Sequence, residues 1–358
     1  MTVHLLPSTP RTVRWGDLPC AGDPSVLTVD PGDVVVVDTV SHEGILEDQG
    51  RDPLAFFTAR GVPADAVLAD AVEIARTVEH DPLRQGPHVV TGPVHVRGAR
   101  PGDVLSVTVE ELVLRADHGV VSNRHGRGAL PGEFPRDGQD VVSVLARVET
   151  DPRTGTRCGA MPVAEGSAAR VRFPLRPFLG LVGVGTHGPE HLHSVPPGMH
   201  GGNLDVSVLG AGSTLHLPVQ VEGALFHTGD PHYAQGDGEV ALTAFEAPLR
   251  ARLRLDLVPE AAVRVRDVLW GETPEFLVPI GLDVDLDEAA RRAVRTAVAL
   301  LVDLGMDPAH ALAYLSAAGD FAVSQVVDRV SGVHGLIRKA DLADLTERPA
   351  PAPAPRDR

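Results

Sequence analysis

The turn sequence Pro-Gly-Asp-Val occurs twice in the first third of the chain, and each copy leads into a run rich in valine and leucine. Residues 34–37 follow the first copy, and the alternating segment 104–114 follows the second. Proline then glycine suits the central positions of a type II turn, where glycine adopts the positive φ that most residues avoid. The pattern predicts two β-hairpins of one sandwich or barrel.

Helical patterns are confined to a few segments. Residues 63–79 have a proline near their start and apolar residues at helical spacing, so we predict a helix there. Near the C-terminus, Asp287 and Gly305 are the predicted caps of a long helix. Pro308 lies in the first turn of a second predicted helix, and a strand follows it. Residues 117–140, rich in Gly, Pro, Asn and Asp, are predicted to form a long loop, either a lid or a disordered segment.

These patterns predict a mainly β fold, with a β-sandwich or barrel body and a C-terminal α/β element. The chain divides into four predicted parts: an N-terminal β-sandwich-like domain at 1–162, a central β domain at 163–257 that carries the sequences GGNLD and GDPHYAQGDGE, a C-terminal α/β element at 258–345, and a disordered Pro-Ala tail at 346–358.

Charge and hydropathy restrict the partners that we expect. The chain of 358 residues has a net charge of −16, which argues against nucleic acid as a partner because that would need a basic face. No apolar run approaches the roughly 18 residues of a membrane span, and the N-terminal segment lacks the apolar core of a signal peptide. We therefore expect a cytoplasmic protein that binds neither nucleic acid nor membrane.

Several common nucleophile arrangements are missing from the sequence. The two cysteines, Cys20 and Cys158, stand in unrelated contexts, and the one lysine, Lys339, is close to the C-terminus. Hydrolases that use a Ser-Ser-Lys or Cys-Glu-Lys set need a lysine in the site, and the GxSxG nucleophile elbow is also absent. If the protein hydrolyses a substrate, activated water is the simplest nucleophile.

Four short stretches combine turn residues with side chains that bind metal ions. A site that draws three or four such groups from separate elements suits Zn²⁺ when imidazole is present, whereas a set dominated by oxygen suits Ca²⁺. Aspartate and glycine are also ordinary turn formers, so Asp237 has a structural interpretation as well. The candidates are Asp38, His42 and Glu43; His200 and Asp205; Asp230 and His232; and Asp237 and Glu239.

The spacing in Asp-Pro-His, residues 230–232, is informative. On a strand, Asp230 and His232 point to the same face and can reach one ion. Pro231 favours an extended conformation for Asp230, which helps to hold that geometry. Glu239 is predicted to open a strand directly after Gly238, which places its carboxylate in the same cavity as a general base.

The motifs resemble those of the acetamidase/formamidase family, which hydrolyses short-chain amides to the acid and ammonia. The resemblance runs from about residue 26 to 330. It is carried by PPGMHGGNLD, GSTLHLPVQVEGALFHTGDPHYAQGDGEV and GDFAVSQVVD, and by the similar segments GPVHVRGARPGDVLSVTV and FPLRPFLGLVGVG.

The resemblance implies a metal-dependent amidohydrolase that acts on formamide or acetamide, and a homo-oligomer, expected to be a dimer. It implies a divalent ion, zinc as the first choice and calcium as the second, held by Asp38, Asp205, Asp230 and His232. Glu239 is then the expected catalytic base, which moves the proton from the attacking water to the leaving nitrogen.

Two features of this chain depart from the family pattern. The stretch after Asp38 differs, and Tyr233 replaces a small residue, so Tyr233 and His42 are predicted to contact the substrate. These two differences are also consistent with a hydrolase that acts on a larger amide, a cyclic imide or a lactone. A third possibility is a non-enzymatic protein whose acidic turns bind Ca²⁺ only to stabilise a β-sandwich.

Overall fold

The computed structural model describes residues 1–266 and 268–346. Strands make up 38% of it and helices 18%, which confirms a mainly β fold. Within the described ranges the strands β1–β20 are Val3–Leu6, Val13–Trp15, Leu27–Val29, Asp33–Asp38, Val89–Val96, Val104–Leu114, His118–Arg124, Val141–Thr150, Arg157–Pro162, Arg170–Pro174, Phe178–Gly183, Gly201–Asn203, Thr214–Pro218, Phe226–Ala234, Phe245–Glu246, Leu249–Val258, Trp270–Glu272, Phe276–Asp283, Asp320–Gln325 and Ser331–Arg338. The helices α1–α5 are Pro53–Thr58, Ala69–Thr77, Leu286–Asp303, Pro308–Ala318 and Ala343–Thr346.

One sheet has nine strands in the order β1-β4-β16-β6-β13-β17-β18-β20-β19. The two strands that follow the Pro-Gly turns, β4 and β6, lie on either side of β16 and pair with it. The turn glycines Gly32 and Gly102 have φ values of 85° and 98°, as the sequence pattern predicts. The repeated turns therefore direct two strands of the same sheet.

The other sheet has eleven strands, with the path β10-β9-β8-β7-β15-β14-β11-β12 and three more strands attached through β5. Buried side chains from both sheets share one core, for example Leu105 and Leu253 from the first sheet and Phe226 and Phe245 from the second. The described residues form no closed barrel. The body is therefore a sandwich, and β14 lies inside its second sheet.

The helices lie where the sequence predicts them, with different ends. The predicted helix at 63–79 is a 3-10 turn, Ala64–Ala66, followed by α2, because Leu68 between them is extended. The N-cap of α3 is Asp285 rather than Asp287, and its side chain accepts a hydrogen bond from the Glu288 amide. Gly305 follows the C-cap with a φ of 101°.

The predicted loop at 117–140 is partly a strand. Its first residues form β7, which pairs with β8 and β15 and buries alternate side chains, so only residues 125–140 are irregular. The nine-stranded sheet takes strands from all three predicted domains, and the boundaries at 162 and 257 stay predictions. Apart from Thr346, the predicted tail lies outside the described residues. No helix in the described ranges is long and apolar enough to cross a bilayer.

Candidate active site

Strand β14 brings Asp230 and His232 to one face of the second sheet, as their spacing predicts. Oδ2 of Asp230 lies 3.0 Å from Nε2 of His232, and both side chains are buried. The backbone of Asp230 is not extended, since its φ is 49°. The space above Gly180 explains why the carboxylate fits there: a Cβ on that glycine would lie 2.5 Å from Oδ2 of Asp230 and 2.4 Å from Oδ1 of Asp205.

Two more carboxylates approach His232 from other elements. Glu246 on β15 places Oε1 2.9 Å from Nε2 of His232, and Asp205, which follows β12, places Oδ1 3.9 Å from its Nδ1. Glu239 also belongs to this cluster, since one ligand atom each from Asp205, His232 and Glu239 lies within 4.8 Å of the others. We call Asp205, Asp230, His232, Glu239 and Glu246 the acidic cluster.

The Glu239 turn differs from the prediction that this residue opens a strand. Glu239 lies in a turn in which its amide donates to the Gly236 carbonyl at 3.1 Å. The turn is fixed to β19, because the Gly238 amide donates to the Ser324 carbonyl at 2.9 Å. The carboxylate of Glu239 is nevertheless buried at the wall of a cavity, as its sequence position predicts.

Three acids of the cluster have left-handed backbone conformations. The φ angles of Asp205, Asp230 and Glu239 are 52°, 49° and 47°. Such angles are uncommon outside glycine, and a residue held in one costs on the order of 1–3 kcal/mol. The surrounding structure therefore holds these carboxylates where an unconstrained strand or turn would not place them.

Two histidines extend the cluster on the far side of Asp230. Oδ1 of Asp230 lies 3.3 Å from Nδ1 of His42 and 3.8 Å from Nε2 of His88, and all three residues are buried. Burial lowers the pKa of His88 to about 4, so that ring is neutral. Burial also acts to lower the pKa of His42, but the carboxylates of Asp230, Glu246 and Glu43 outweigh it and raise the pKa.

Burial and crowding of like charges shift the carboxyl groups. Burial, followed by the charge of Glu239, raises the pKa of Asp205 well above its usual range. Burial, followed by the charges of Asp328 and Glu246, does the same for Glu239. Asp328, on the same cavity wall, has a pKa raised to about 7, mainly by burial. Asp328 thus exchanges its proton close to neutrality, and the carboxyl groups of Asp205 and Glu239 hold their protons more tightly than free carboxyl groups do.

Many polar atoms of the cluster are buried without a hydrogen-bond partner. They are both carboxylate oxygens of Asp205, Oδ1 of Asp230, Oε2 of Glu246 and Nε2 of His232, whose short contacts to Asp230 and Glu246 lack hydrogen-bond angles. Buried polar atoms are nearly always paired, so such a group of exceptions requires an explanation. Carboxylate oxygens around an imidazole nitrogen form a donor set that suits a divalent cation such as Zn²⁺.

Two predicted site residues lie away from the cluster. The carboxylate of Asp38 receives hydrogen bonds from Arg250 at 2.7 and 2.9 Å, and Arg115 lies 3.6 Å away. Tyr233 points to the opposite side of β14 from its neighbour His232, and its hydroxyl oxygen lies 2.9 and 2.8 Å from the carbonyl oxygens of Ala116 and Pro248, which share its one proton. Asp38 therefore pairs with arginines outside the acidic cluster, and Tyr233 belongs to the core.

The reserve candidates have different surroundings. Glu43 is buried beside His42 and accepts a hydrogen bond from Arg124 at 2.7 Å. It therefore contacts His42 and is not a member of the acidic cluster. His200 is buried, and burial lowers its pKa to about 4. Asp237 is exposed and accepts a hydrogen bond from Ser207 at 3.1 Å, which fits its structural interpretation.

Three residues of the site were not predicted: His88, Glu246 and Asp328. His88 and Glu246 stand alone between apolar neighbours, in PHVV and AFEAP, whereas Asp328 in VVDRV is followed by Arg329. For His88 and Glu246, the sequence signal of a site residue was a charged or imidazole side chain inside an apolar run that predicts a buried strand. Such a residue is rarely buried unless it has a partner.

The cluster opens into a cavity of about 840 Å³, which we call the site cavity. Its wall includes His42, His88, Asp230, Glu239 and Glu246. A small molecule in the cavity can therefore reach Asp230 and Glu246, each of which has an oxygen without a partner. This combination of buried acids with shifted pKa values and an accessible cavity is typical of a catalytic site.

Comparisons with known proteins agree with the resemblance seen in the sequence. Residues 185–335 match the model of the Acetamidase/Formamidase family. The chain is 23% identical to a formamidase of Methylophilus methylotrophus over 305 residues, 67% of this chain and 73% of that protein. It is 26% identical to an acetamidase of Mycolicibacterium smegmatis over 206 residues, 43% of this chain and 49% of that protein. The chain thus matches only about half the length of some curated relatives.

The fold is also similar to that of a solved structure. The crystal structure of an acetamidase from Bacillus halodurans has a TM-score of 0.72 to this chain at 24% sequence identity. The alignment covers 95% of this chain and 99% of that one. This likeness extends over the whole sandwich and shows a shared fold.

Proposed function

We propose that the protein is an amidohydrolase that converts short linear amides to the carboxylate and ammonia, with the acidic cluster as its active site, because residues 185–335 match the model of the acetamidase/formamidase family. The observation that carries the proposal is the group of buried, unpartnered carboxylate and imidazole atoms in the acidic cluster, which borders the site cavity at Asp230, Glu239 and Glu246. The absence of a lysine from that wall fits a reaction in which water is the nucleophile.

We propose that His232, Asp230, Asp205 and Glu246 hold a divalent metal ion, with zinc as the first choice. When bound, such an ion supplies Lewis-acid activation of the amide carbonyl and of water. Nδ1 of His232 is 3.0 Å from Oε1 of Gln235, which leaves Nε2 directed at Asp230 and Glu246. Burial lowers the pKa of His232, but the carboxylates of Glu246 and Asp230 raise it well above its usual value. This nitrogen therefore favours a positive charge beside it, either a proton or a metal ion.

Glu239 is the proposed acid–base group. Its pKa is raised well above the usual range, so the carboxylate is a stronger proton acceptor than that of an ordinary glutamate, a property that general base catalysis requires. It accepts a proton from the attacking water and delivers it to the departing nitrogen. His42 is charged more readily than an ordinary histidine, and it offers a donor to an oxygen on which negative charge develops.

The decisive measurement is ammonia release from formamide and acetamide by protein whose metal content is known. Treatment with a chelator should abolish the release, and addition of Zn²⁺ should restore it. Glu239→Gln should lower kcat by about 10²–10⁴-fold while the metal content stays the same. Asp237→Asn is the matched control, since Asp237 is an exposed acid in the same turn. Normal turnover by Glu239→Gln would reject the assigned role.

The volume of the site cavity supports a second candidate, hydrolysis of a larger or cyclic amide. Pockets that hold drug-sized molecules have volumes of about 300–1,000 Å³, and 840 Å³ falls in that range. Formamide would leave most of this space to water. A set of amides and lactams of increasing size distinguishes the candidates, because the preferred substrate should have the highest kcat/KM. We also propose a homodimer, which sedimentation analysis would test.

A further inference from the structure

Two arginines on the wall of the site cavity, Arg127 and Arg329, form no ion pair within the described ranges. The third arginine there, Arg124, differs because Glu43 and Asp48 neutralise it at 2.7 and 2.6 Å. Both unpaired side chains are exposed. In a chain with a net charge of −16, two cations without acidic partners beside an acidic cluster are conspicuous. They are available to an anion that enters the cavity.

The segments that carry these arginines are fixed against the Glu239 turn. The loop of Arg127 is attached through the Ala129 amide, which donates to the Val240 carbonyl at 3.0 Å. Arg329 follows β19, whose Ser324 accepts a hydrogen bond from Gly238 in that turn at 2.9 Å. The Arg329 backbone also has a φ of 65°, an uncommon angle for a side chain of this size. The fold therefore anchors the backbone segments of both arginines beside the Glu239 turn, on the wall of the site cavity.

His193 lines the same cavity wall as Arg127 and Arg329. Burial, followed by the charges of Arg329 and Arg127, lowers the pKa of His193. The positive charges of both arginines therefore act on the His193 ring. Arginine binds carboxylates through two parallel hydrogen bonds, and it remains charged at any physiological pH.

We propose that the substrate is a primary amide that also bears a carboxylate, and that Arg127 and Arg329 bind this carboxylate at the cavity mouth while the amide reaches the acidic cluster. This inference rests on the proposed function and names its substrate class. Water supplies a hydroxyl group to the carbonyl carbon and a proton to the nitrogen, and the C–N bond breaks. The products are a dicarboxylate and ammonium, and the remote carboxylate is unchanged.

Succinamate and butyramide provide the matched pair for the test, because both have a four-carbon chain and only succinamate bears the carboxylate. We expect kcat/KM to be at least about tenfold higher for succinamate. Arg127→Gln and Arg329→Gln should each remove most of this advantage and leave butyramide hydrolysis unchanged. Arg291 is an exposed arginine on α3, so Arg291→Gln is the control. It should leave kcat/KM for both substrates unchanged. High salt should weaken the advantage as well.

A calorimetric measurement of succinate binding separates this inference from the proposed function, since it needs no turnover. Binding that is lost in the Arg127→Gln/Arg329→Gln variant supports the anion site even if no amide is hydrolysed, an outcome that would reject the amidase proposal alone. Equal kcat/KM for succinamate and butyramide, with succinate binding unaffected by the double substitution, would overturn the inference and leave the amidase proposal intact. Circular dichroism spectra establish that each variant is folded.

Discussion

Gln235 fixes the orientation of the His232 ring. Its amide nitrogen donates to the backbone carbonyls of Asp205 and Ser324 at 2.8 and 3.2 Å, so its carbonyl oxygen is the atom that lies 3.0 Å from Nδ1 of His232. Nδ1 is therefore the protonated nitrogen, and Nε2 is left to face Asp230 and Glu246. Histidines that bind metal ions are commonly held in this manner, through a hydrogen bond from the other ring nitrogen.

Gln235→Leu should weaken metal binding, because the ring loses the acceptor that fixes its tautomer. We expect a loss of about 10–100-fold in the affinity for Zn²⁺, measured by competition with a coloured chelator. The activity of Zn²⁺-saturated protein should fall much less. Gln139→Leu, which changes an exposed glutamine, is the control. Equal affinities in the two variants would contradict this positioning role.

Gly180→Ala should disrupt the acidic cluster. A Cβ at this position would lie 2.4 Å from Oδ1 of Asp205 and 2.5 Å from Oδ2 of Asp230, which is too close for either carboxylate to stay in place. We expect activity and metal content to fall by more than about tenfold, since a displacement of this order misaligns the reacting groups. Gly236→Ala is the matched control, because the new methyl group there has no neighbour within 4 Å. A fully active Gly180→Ala protein would argue against the proposed cluster.

Asp38→Asn should affect stability more than catalysis. Its carboxylate pairs with the half-exposed Arg250 at the end of β4, away from His232. We expect the free energy of unfolding to fall by about 1 kcal/mol, since the substitution removes a charge-assisted pair near the surface. Metal content and kcat should stay within about threefold of the wild-type values. Loss of metal would instead restore Asp38 as a ligand, as the sequence analysis proposed.

Acid should destabilise the protein through His200 and His227. Burial lowers their pKa values to about 4 and about 3, whereas unfolded histidine titrates near 6.5. The unfolded state therefore binds more protons below pH 6.5, and stability falls as the pH falls from about 6.5 towards 4. Each histidine that is protonated only in the unfolded state changes the free energy of unfolding by about 1.4 kcal/mol per pH unit in this range.

Denaturant unfolding of His227→Gln at pH 7, 5.5 and 4.5 tests this expectation. The variant is expected to be less stable at pH 7, but its loss of stability with falling pH should be smaller than that of the wild type. The exposed His310→Gln should follow the wild-type slope. Parallel pH profiles for all three proteins would show that His227 does not contribute to the acid response.

Local patterns in the sequence were sufficient for much of the fold. The Pro-Gly turns and the alternation at 104–114 predicted β4 and β6, and the spacing of Asp230 and His232 predicted their common face. Asp38 was assigned to the metal site from the family resemblance, but which side chains meet an aspartate depends on the neighbouring strand. In the structure that strand is β16, which brings Arg250 opposite Asp38. No local pattern of the kind used here predicts this pairing.

Glu246 is a site residue that local sequence patterns failed to predict. It lies on a strand of two residues, and its value to the site comes from pairing with His232 across β14. A single acid between alanine, phenylalanine and proline carries no spacing signal. Similarly, the left-handed backbone of Asp230 runs against the local preference of a residue before proline, because tertiary contacts around Gly180 outweigh it.

The order of strands in the nine-stranded sheet has a consequence for biosynthesis. β4 and β6, made early, have β16 between them, and the acidic cluster draws on residues from 205 to 246, with His42 and Asp328 at its edges. Contacts between such distant parts of a chain form slowly. A ribosome must therefore release most of the polypeptide before either the sheet or the active site can assemble. During that interval the valine-rich edges of β4 and β6 lack their partner, and they are the segments for which a chaperone would be most useful.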